Sequence, residues 1–331
     1  MSLAERLKRR IVAEGPITIA DYMQACLNDP EDGYYATRPA LGADFITAPL
    51  VSQMFGELLG AWAAEVWAQM GAPTRVRLVE LGPGDGTLMT DVLRAARAAP
   101  GFSEAFELVF VETSAPLRML QAAKHPSARW IEEIGGLGSD APLILLANEF
   151  LDCLPICQSV LTVDGWRERR IGLSPAGALA FTPDAGAVAE SSPAVRAFGG
   201  EVAALIAAAA GAALFIDYAG DGEGDTLQAV RQHKKECALA SPGEADLTVR
   251  VDFAAFLNAA HGVPAFGPVS QAAFLEALGL GARAAALVSA NPGQADKIAR
   301  QVERLTARDQ MGELFQVVCL ASPGLGPPGF A

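Results

Sequence analysis

Two carboxylates and a carboxamide lie around an aromatic ring in the segment Asn148-Glu149-Phe150-Leu151-Asp152. The segment follows an apolar run at residues 143–147 that is typical of a buried strand, so its side chains are predicted at a strand end. Carboxylates can hold a protonated guanidinium through paired hydrogen bonds. We therefore predict Glu149 and Asp152 as catalytic residues that align a cationic acceptor. The alternative is that Asn148 and Asp152 cap the next turn.

A glycine-rich loop, Gly82-Pro83-Gly84-Asp85-Gly86, follows another predicted strand. Alternate glycines let a ligand approach the backbone closely, and the missing Lys-Ser/Thr ending of a P-loop argues against a nucleoside triphosphate. Asp85 would repel a diphosphate by on the order of 1 kcal/mol or more. S-adenosylmethionine carries a cationic sulfonium and an amino group instead, so the loop favours it as the cofactor. A plain tight turn is the alternative.

The ends of the predicted strands supply further candidate cofactor ligands. Glu112 closes the second strand, where an acidic residue can accept hydrogen bonds from two ribose hydroxyls. Because S-adenosylmethionine and dinucleotides both contain ribose, Glu112 alone does not distinguish them. The cofactor-binding residues predicted from the strands and the glycine loop are Glu80, Gly82, Gly84, Asp85, Gly86, Glu112 and Asn148.

Polar residues cluster ahead of an apolar helix that is predicted at residues 52–70. If this segment lies over the glycine loop, it can close as a lid that excludes water from the bound ligand. We therefore predict Thr47, Ser52 and Gln53 as cofactor-binding residues and Asp44 as a further catalytic candidate. The alternative is local, with Ser52 capping the helix and Thr47 ending a loop.

The composition is that of an acidic globular protein. The chain has 331 residues, of which 51% are hydrophobic and 19% charged, and its formal net charge is −13. Nucleic acid is not an expected partner, because an acidic chain without a basic block binds phosphate backbones poorly. Residues 1–10 lack the apolar segment of a secretory signal, and the longest apolar run, residues 202–216, is too short to span a bilayer. We predict a cytoplasmic protein without membrane insertion and, from the scattered cysteines and histidines, without a metal site.

Short apolar runs alternate with helices along the middle of the chain. This pattern is typical of an α/β fold with a doubly wound, mostly parallel sheet that is covered on both faces. Ligands of such sheets bind beyond the carboxyl ends of the strands, which is where the candidate residues lie. The predicted strands are residues 76–81, 107–112, 130–134, 143–147 and 212–218, with helices at residues 87–98 and 114–124.

The chain is predicted to have three parts: an N-terminal helical cap (1–71), a core (72–220 with 310–322) and an accessory helical region (221–309). A hairpin is inserted in the core at about residues 156–173 and turns at Asp164-Gly165, because that dipeptide favours a two-residue turn. Asp225 and Thr226 are predicted to cap the first accessory helix. The predicted elements of the last part are helices near residues 225–233, 252–261, 270–278 and 292–306 and a final strand at residues 314–320.

These motifs together resemble those of the MidA-type methyltransferases, relatives of the mitochondrial complex I assembly factor. The resemblance begins in residues 17–60, with Asp32-Gly33-Tyr34-Tyr35 and Ser52-Gln53-Met54-Phe55-Gly56-Glu57, and it spans nearly the whole chain. Further matching segments are residues 44–49, 82–87, 110–114, 147–156, 216–218, 224–229, 242–253, 267–271 and 309–312.

The resemblance implies a class I methyltransferase fold whose last strand is antiparallel, with S-adenosylmethionine as the cofactor. It also implies a protein substrate, with methyl transfer to arginine that gives symmetric dimethylarginine on the quinone-site subunit of respiratory complex I. Three residues depart from the family's usual pattern, which has glycine, glutamate and arginine where this chain has Ala43, Leu50 and Asp85. Leu50 leaves the substrate preference open, and Asp85 is expected to make the pocket more negative.

Three functions stay open at this level. An S-adenosylmethionine-dependent protein methyltransferase agrees with the loop, with Glu112 and with the family pattern. A NAD(P)-dependent oxidoreductase is the rival enzyme, although the Gly-x-Gly-x-Gly spacing differs from the dinucleotide-binding Gly-x-Gly-x-x-Gly. A binding factor that keeps the fold without turnover is the third, and the departure at Leu50 keeps it open.

Overall fold

A computed structural model describes residues 1–37, 46–220 and 224–330. Within these residues an eight-stranded sheet forms the centre, accompanied by sheets of five and three strands. The strands are β1 (Ile17–Thr18), β2 (Val76–Leu81), β3 (Phe106–Val111), β4 (Arg129–Ile131), β5 (Leu143–Asn148), β6 (Cys157–Thr162), β7 (Gly165–Leu173), β8 (Leu179–Thr182), β9 (Val188–Ser191), β10 (Gly211–Gly220), β11 (Gln228–Arg231), β12 (Lys234–Glu236), β13 (Asp246–Thr248), β14 (Val251–Asp252), β15 (Ala265–Ser270) and β16 (Phe315–Ala321).

The helices flank the central sheet or pack on the hairpin, and two short 3-10 helices occur at Ile134–Leu137 and Pro292–Gln294. The α-helices are α1 (Leu3–Glu14), α2 (Ile19–Asn28), α3 (Tyr34–Thr37), α4 (Ala48–Val51), α5 (Gln53–Gln69), α6 (Thr87–Ala96), α7 (Phe102–Ala105), α8 (Ala115–Lys124), α9 (Pro193–Ala209), α10 (Phe253–Ala259), α11 (Gln271–Ala277), α12 (Leu280–Ala290), α13 (Ala295–Thr306) and α14 (Met311–Leu314).

The central sheet has the strand order β15-β16-β10-β5-β2-β3-β4, and β14 pairs with β10. Strands β4, β3, β2, β5 and β10 are parallel, whereas β16 runs antiparallel to β10 and β15. The predicted α/β fold with an antiparallel final strand is therefore confirmed. The chain moves outward from β2 through β3 and β4 and returns to β5 on the other side of β2. Ligands of open α/β sheets bind at this kind of switch point.

The central strands are buried on both faces because they are apolar along their whole length. All six residues of β2 are buried. On one face α5 packs against α6 in a core that contains Phe55 and Trp62, and on the other α9 and α10 pack around Phe215 and Phe256. This two-sided burial fixes the strand register, so the strand ends that carry polar residues meet at one edge.

The N-terminal helices α1 and α2 pack on the inserted hairpin instead of on α5. β1 pairs antiparallel with β7, and α1 and α2 share a separate apolar core with Ile156 and Ile171. Helix α5 belongs to the core of the central sheet, so residues 1–71 do not form a single cap. The hairpin itself is present, but Thr162 pairs with Gly165, which places its turn at Val163-Asp164, one residue before the predicted dipeptide.

The accessory region is not purely helical, which corrects the prediction for residues 225–233. There β11 and β12 form a hairpin, and β11 also pairs with β13 because Ala229 is buried against Leu247. Asp225 caps no helix; its carboxylate pairs with Arg169 at 2.6 Å. Strand β15 and helix α12 are further elements that the sequence analysis did not identify.

The structure also bears on membrane insertion and metal binding, within the described residues only. No single helix there is long and apolar enough to cross a membrane, although the bent pair Gln271–Ala277 and Leu280–Ala290 meets the length and composition requirement together. Over the same ranges, no group of three or more His, Cys, Asp or Glu side chains is arranged to hold a metal ion.

Candidate functional site

A cavity with a volume of about 780 Å³ lies at the carboxyl ends of β2, β3 and β5, at the switch point of the sheet. Helix α2 and the segment that leads into α4 complete its wall. The cavity gathers most of the predicted site residues from distant parts of the sequence. Those that line it are Thr47, Glu80, Gly82, Gly84, Asp85, Glu112, Asn148 and Glu149.

Other predicted site residues have different positions. Ser52 caps α5 by accepting a hydrogen bond from Met54 N at 3.2 Å, and Gln53 Nε2 donates to Glu57 Oε1 at 3.3 Å. Neither side chain lines the cavity, and Ser52 is the helix cap that the local alternative describes. Asp44 lies outside the described residues.

The glycine loop has backbone angles that favour glycine. The φ angles are +56° at Gly82, +56° at Gly84 and +79° at Gly86, all in the left-handed region. A Cβ atom on Gly82 would lie 3.2 Å from Cδ2 of Phe150, because the phenyl ring packs on the loop. Gly82 and Gly84 line the cavity, whereas Gly86 is the N-cap residue of α6 and its carbonyl accepts a hydrogen bond from His125 Nε2 at 2.9 Å.

The Asp85 carboxylate forms a partly exposed ion pair with Lys124. Lys124 Nζ donates to Oδ2 at 2.8 Å, and Thr87 N donates to Oδ1 at 2.9 Å. Burial alone would raise the pKa of Asp85, but the hydrogen bonds from Lys124 and Thr87 lower it below its ordinary value. Lys124, at the end of α8, thus offsets the charge that Asp85 brings to the pocket, while a pocket more negative than those of relatives stays a prediction.

Glu112 is held by α8, through a residue that the sequence analysis missed. Ser114 N donates to Oε1 at 2.8 Å, and Gln121 Nε2 donates to Oε2 at 3.0 Å. The same Gln121 nitrogen also donates to Gly84 O at 2.8 Å, so one amide ties the acidic strand end to the glycine loop. Burial raises the pKa of Glu112, and the hydrogen bonds from Ser114 and Gln121 partly offset that rise.

Two buried oxygen atoms at the cavity have no hydrogen-bond partner among the described residues: Glu80 Oε2 and Asn148 Oδ1. Such an unpaired acceptor costs about 1–3 kcal/mol, so a bound donor would relieve the cost. Burial, followed by the charges of Asp85 and Glu112, raises the pKa of Glu80 well above its ordinary value. The amino and hydroxyl groups of S-adenosylmethionine are donors of this kind, and the residues present therefore fit the predicted cofactor.

Glu149 has an unusual backbone conformation at the cavity wall. Its φ angle is +53°, which costs a residue other than glycine about 1–3 kcal/mol and is concentrated at functional sites. Asn148 Nδ2 donates to its Oε1 at 2.9 Å. Burial and the neighbouring Asp217 charge raise the pKa of Glu149 to about 8. The strain and the buried carboxyl group identify Glu149 as the strongest catalytic candidate.

Asp152 is not at the cavity, although it lies only three residues beyond Glu149. Its side chain is 3% exposed, and burial together with the Asp217 and Asp246 charges raises its pKa well above the ordinary value. Because the turn directs this carboxyl group into the interior, its predicted contact with an acceptor is not supported by its position. Its backbone N–H instead donates to Asp217 Oδ2 at 3.3 Å.

The raised pKa of Glu149 predicts how the reaction depends on pH. Only the ionised carboxylate can pair with a cationic acceptor, and with a pKa of about 8 it is largely protonated at pH 6. We expect kcat/KM for the acceptor to rise about tenfold per pH unit between pH 6 and 7 and to level off above about pH 8. Initial rates at limiting acceptor measure this profile. A flat profile from pH 6 to 9 would contradict the assignment.

Comparison with known proteins places these features in a family. Residues 58–186 and 176–269 match the family model described as "Putative S-adenosyl-L-methionine-dependent methyltransferase". The chain is 34% identical over 362 residues to the zebrafish (Danio rerio) protein arginine methyltransferase NDUFAF7, mitochondrial, covering 95% of this chain and 86% of that protein. Its identity to the human (Homo sapiens) protein of the same name is 33% over 379 residues, covering 96% and 83% respectively.

A solved structure agrees with the fold and with the cavity. A Burkholderia thailandensis protein, crystallised bound to S-adenosyl-homocysteine, has a TM-score of 0.85 and 28% sequence identity to this chain. The match covers 99% of this chain and 93% of that one. A native crystal structure from the same organism, with a TM-score of 0.85 and 29% identity, covers 98% and 92%. The predicted cofactor, S-adenosylmethionine, is thus supported by fold and by sequence.

Proposed function

The chain belongs to the MidA-type family of S-adenosyl-L-methionine-dependent methyltransferases, and from that premise we propose that its acceptor is an arginine side chain of a protein. The observation that carries the proposal is a buried, strained carboxyl group, Glu149, at the wall of the cofactor cavity. The relatives' names support the same acceptor, since those proteins are called protein arginine methyltransferases. The oxidoreductase alternative has no comparable support.

The cofactor would be held between the glycine loop and two strand ends. Gly82 and Gly84 allow it to approach the backbone, and Glu112 would accept hydrogen bonds from its ribose hydroxyls. The unpaired oxygens of Glu80 and Asn148 would accept from its amino group. When bound, the cofactor supplies a methyl group activated by a cationic sulfur.

On the acceptor side, the cavity wall is formed by the acidic side chain of Glu149 and by the amide side chains of Gln24 and Asn28. An arginine guanidinium is charged at any physiological pH, so ionised Glu149 would bind and orient it through its N–H groups. Glu149 can also receive the proton that the acceptor nitrogen loses when it gains the methyl group. Gln24 and Asn28 of α2 line the same cavity, and we propose that the acceptor chain enters past them. Holding two reacting groups in line lowers much of the barrier.

The finer assignment is symmetric dimethylation of the quinone-site subunit of respiratory complex I, in support of its assembly. This step rests on the family resemblance alone, since the names of the relatives give protein arginine methylation but neither its symmetry nor its target. The cytoplasmic location predicted for this chain stays a prediction.

The decisive experiment measures methyl transfer to the purified acceptor subunit. The chain is incubated with radiolabelled S-adenosylmethionine and the subunit, and the labelled residue is identified after hydrolysis. Symmetric dimethylarginine is the expected product, and asymmetric dimethylarginine would reject only the finer assignment. A subunit whose target arginine is replaced by lysine is the matched control. If no acceptor protein becomes labelled, the result would instead favour a binding factor that has no methyltransferase activity.

Ligand-dependent thermal stability separates the cofactor classes. A ligand that binds only the native state raises the apparent melting temperature, and the stabilisation grows with the logarithm of the ligand concentration relative to the Kd. We expect S-adenosylmethionine and S-adenosyl-homocysteine to raise the Tm by several degrees, equivalent to about 2.7 kcal/mol at a ligand concentration one hundred times the Kd. NAD at the same concentration should leave the Tm unchanged. An equal response to NAD would count against the cavity assignment.

A further inference from the structure

Asp217 is a buried carboxylate at the end of β10 that binds backbone amides instead of a cation. The residue is 1% exposed, and the hydrogen-bond donors to its carboxylate in the described parts of the chain are backbone amides. Four backbone N–H groups donate to it, three from one turn of the chain and one from its neighbour Tyr218. A carboxylate held by several amide donors fixes the conformation of the segment that supplies them.

The three donors belong to the turn that follows β5. Phe150 N, Leu151 N and Asp152 N lie 3.0, 2.7 and 3.3 Å from Asp217 Oδ2. A second contact from the same strand is the hydrogen bond from Glu149 N to Ile216 O at 2.9 Å. The turn is therefore attached to β10 at four consecutive amides, from Glu149 to Asp152.

This attachment explains how the turn keeps its strained residue. A positive φ at a residue other than glycine persists only when its surroundings over-determine it. The amides on the C-terminal side of Glu149 are fixed by Asp217, and its own amide is fixed by Ile216. As a result Glu149 faces the cavity and the Phe150 ring lies over Gly82.

We propose that Asp217 is a positioning residue for methyl transfer, whose carboxylate sets the conformation of the 149–152 turn and thereby aims Glu149 at the acceptor. The proposal rests on the proposed role of Glu149 in binding arginine. Asp217 itself does not line the cavity. It acts on the acceptor side of the site through the backbone, while the glycine loop and Glu112 are held by other contacts.

Asp217 also acts on Glu149 through its charge. The ionisable groups that interact with Glu149 are Asp217 and Tyr218 from β10, Asp152 from the turn and Asp246 from β13. Cys153 and Tyr35 line the same cavity and interact with Asp152 and Asp246. Among the charged neighbours, Asp217 contributes most to raising the pKa of Glu149. Burial raises the pKa of Asp217 itself to about 7, so its charge is present while Glu149 titrates near 8. Removing that charge would stabilise the Glu149 carboxylate, so the pKa of Glu149 would fall towards the ordinary value.

The test is the Asp217→Asn variant of the full chain, which keeps the shape but removes the charge. Either orientation of the new amide directs an NH₂ group at a backbone N–H donor. We expect the plateau kcat at high pH to fall at least about tenfold, with the S-adenosyl-homocysteine Kd changed less than about threefold. The acid limb of kcat/KM should move to lower pH, which loss of structure alone would not cause.

Hydrogen exchange gives a readout that does not depend on the acceptor. An amide oxygen accepts more weakly than a carboxylate, and one orientation of the new side chain turns its NH₂ group towards the turn. The amides of Phe150, Leu151 and Asp152 should therefore exchange at least about tenfold faster in Asp217→Asn. Asp225→Asn is the matched control, because Asp225 pairs with Arg169 away from the cavity. That variant should leave these three exchange rates and the pH profile unchanged.

The outcomes separate this inference from the proposed function. If the wild-type chain methylates no arginine but the three amides lose protection in Asp217→Asn, the acceptor assignment fails and the positioning of the turn stands. Unchanged exchange together with an unchanged plateau and acid limb would overturn the role of Asp217. If Asp217→Asn does not fold, Asp217→Glu keeps the charge at a shifted position, and it should lower the plateau while leaving the acid limb near its wild-type pH. A wild-type plateau in Asp217→Glu would overturn the inference.

Discussion

Replacement of Gly84 by valine is expected to weaken binding of S-adenosyl-homocysteine at least about a hundredfold, which corresponds to about 2.7 kcal/mol. Gly84 has a φ of +56° and lines the cavity. A β-branched side chain there would be strained in this backbone conformation and would occupy space that the ligand needs. Isothermal titration calorimetry with the purified variant measures the effect directly.

The control for this variant is Gly71→Val. Gly71 also has a positive φ, +84°, but a side chain on it would meet nothing within 4 Å and it does not line the cavity. The Gly71→Val variant should lose about as much thermal stability as Gly84→Val but keep the wild-type affinity for S-adenosyl-homocysteine. Wild-type affinity in Gly84→Val would show that the loop is not the cofactor site.

Replacement of Glu149 by glutamine should lower kcat by about 10²- to 10³-fold, a range typical of removing a group that acts in the transition state. The change removes the charge that orients a guanidinium and leaves the side-chain size nearly unchanged. The affinity for S-adenosyl-homocysteine should change little, because the glycine loop and Glu112 stay intact. Single-turnover rates at saturating cofactor and acceptor separate this effect from binding.

Glu132→Gln is the matched control for the charge. Glu132 lines the same cavity, but its side chain is 75% exposed and only 3.5 Å from Arg118 at the rim. The same substitution there should leave kcat within about twofold of the wild-type value. Equal losses in both variants would mean that the overall negative charge matters, not the position of Glu149.

The sequence predicts the sheet and the glycine loop because their signals are local. The apolar run of β2 leads directly into alternate glycines and then into α6, so the sequence signals for the strand, the turn and the helix are adjacent in the chain. The two-sided burial of such runs also predicts where the strand ends meet. Glu80, Glu112 and Asn148 are therefore found together as expected.

The rest of the site depends on contacts between residues that are far apart in sequence. The pairing of Lys124 with Asp85 and the amide bridge of Gln121 require the register of α8 against the glycine loop. The turn that points Asp152 inward is set by Asp217, 65 residues further along the chain. Residues 225–233 were mistaken for a helix because their strand partner, β13, comes later in the chain.

The long-range packing of the first helices has a consequence for how the protein matures. Tyr22 of α2 donates a hydrogen bond to Ala238 O at 2.7 Å, across 216 positions of sequence, and β1 pairs with β7. On the ribosome, α1 and α2 emerge well before their apolar partners in β7 and β13, which are synthesised much later. The apolar faces of α1 and α2 are therefore exposed to solvent during much of translation, and chaperones recognise exposed hydrophobic surface of this kind. Helices α1 and α2 are thus among the last parts of the described chain to reach their native packing.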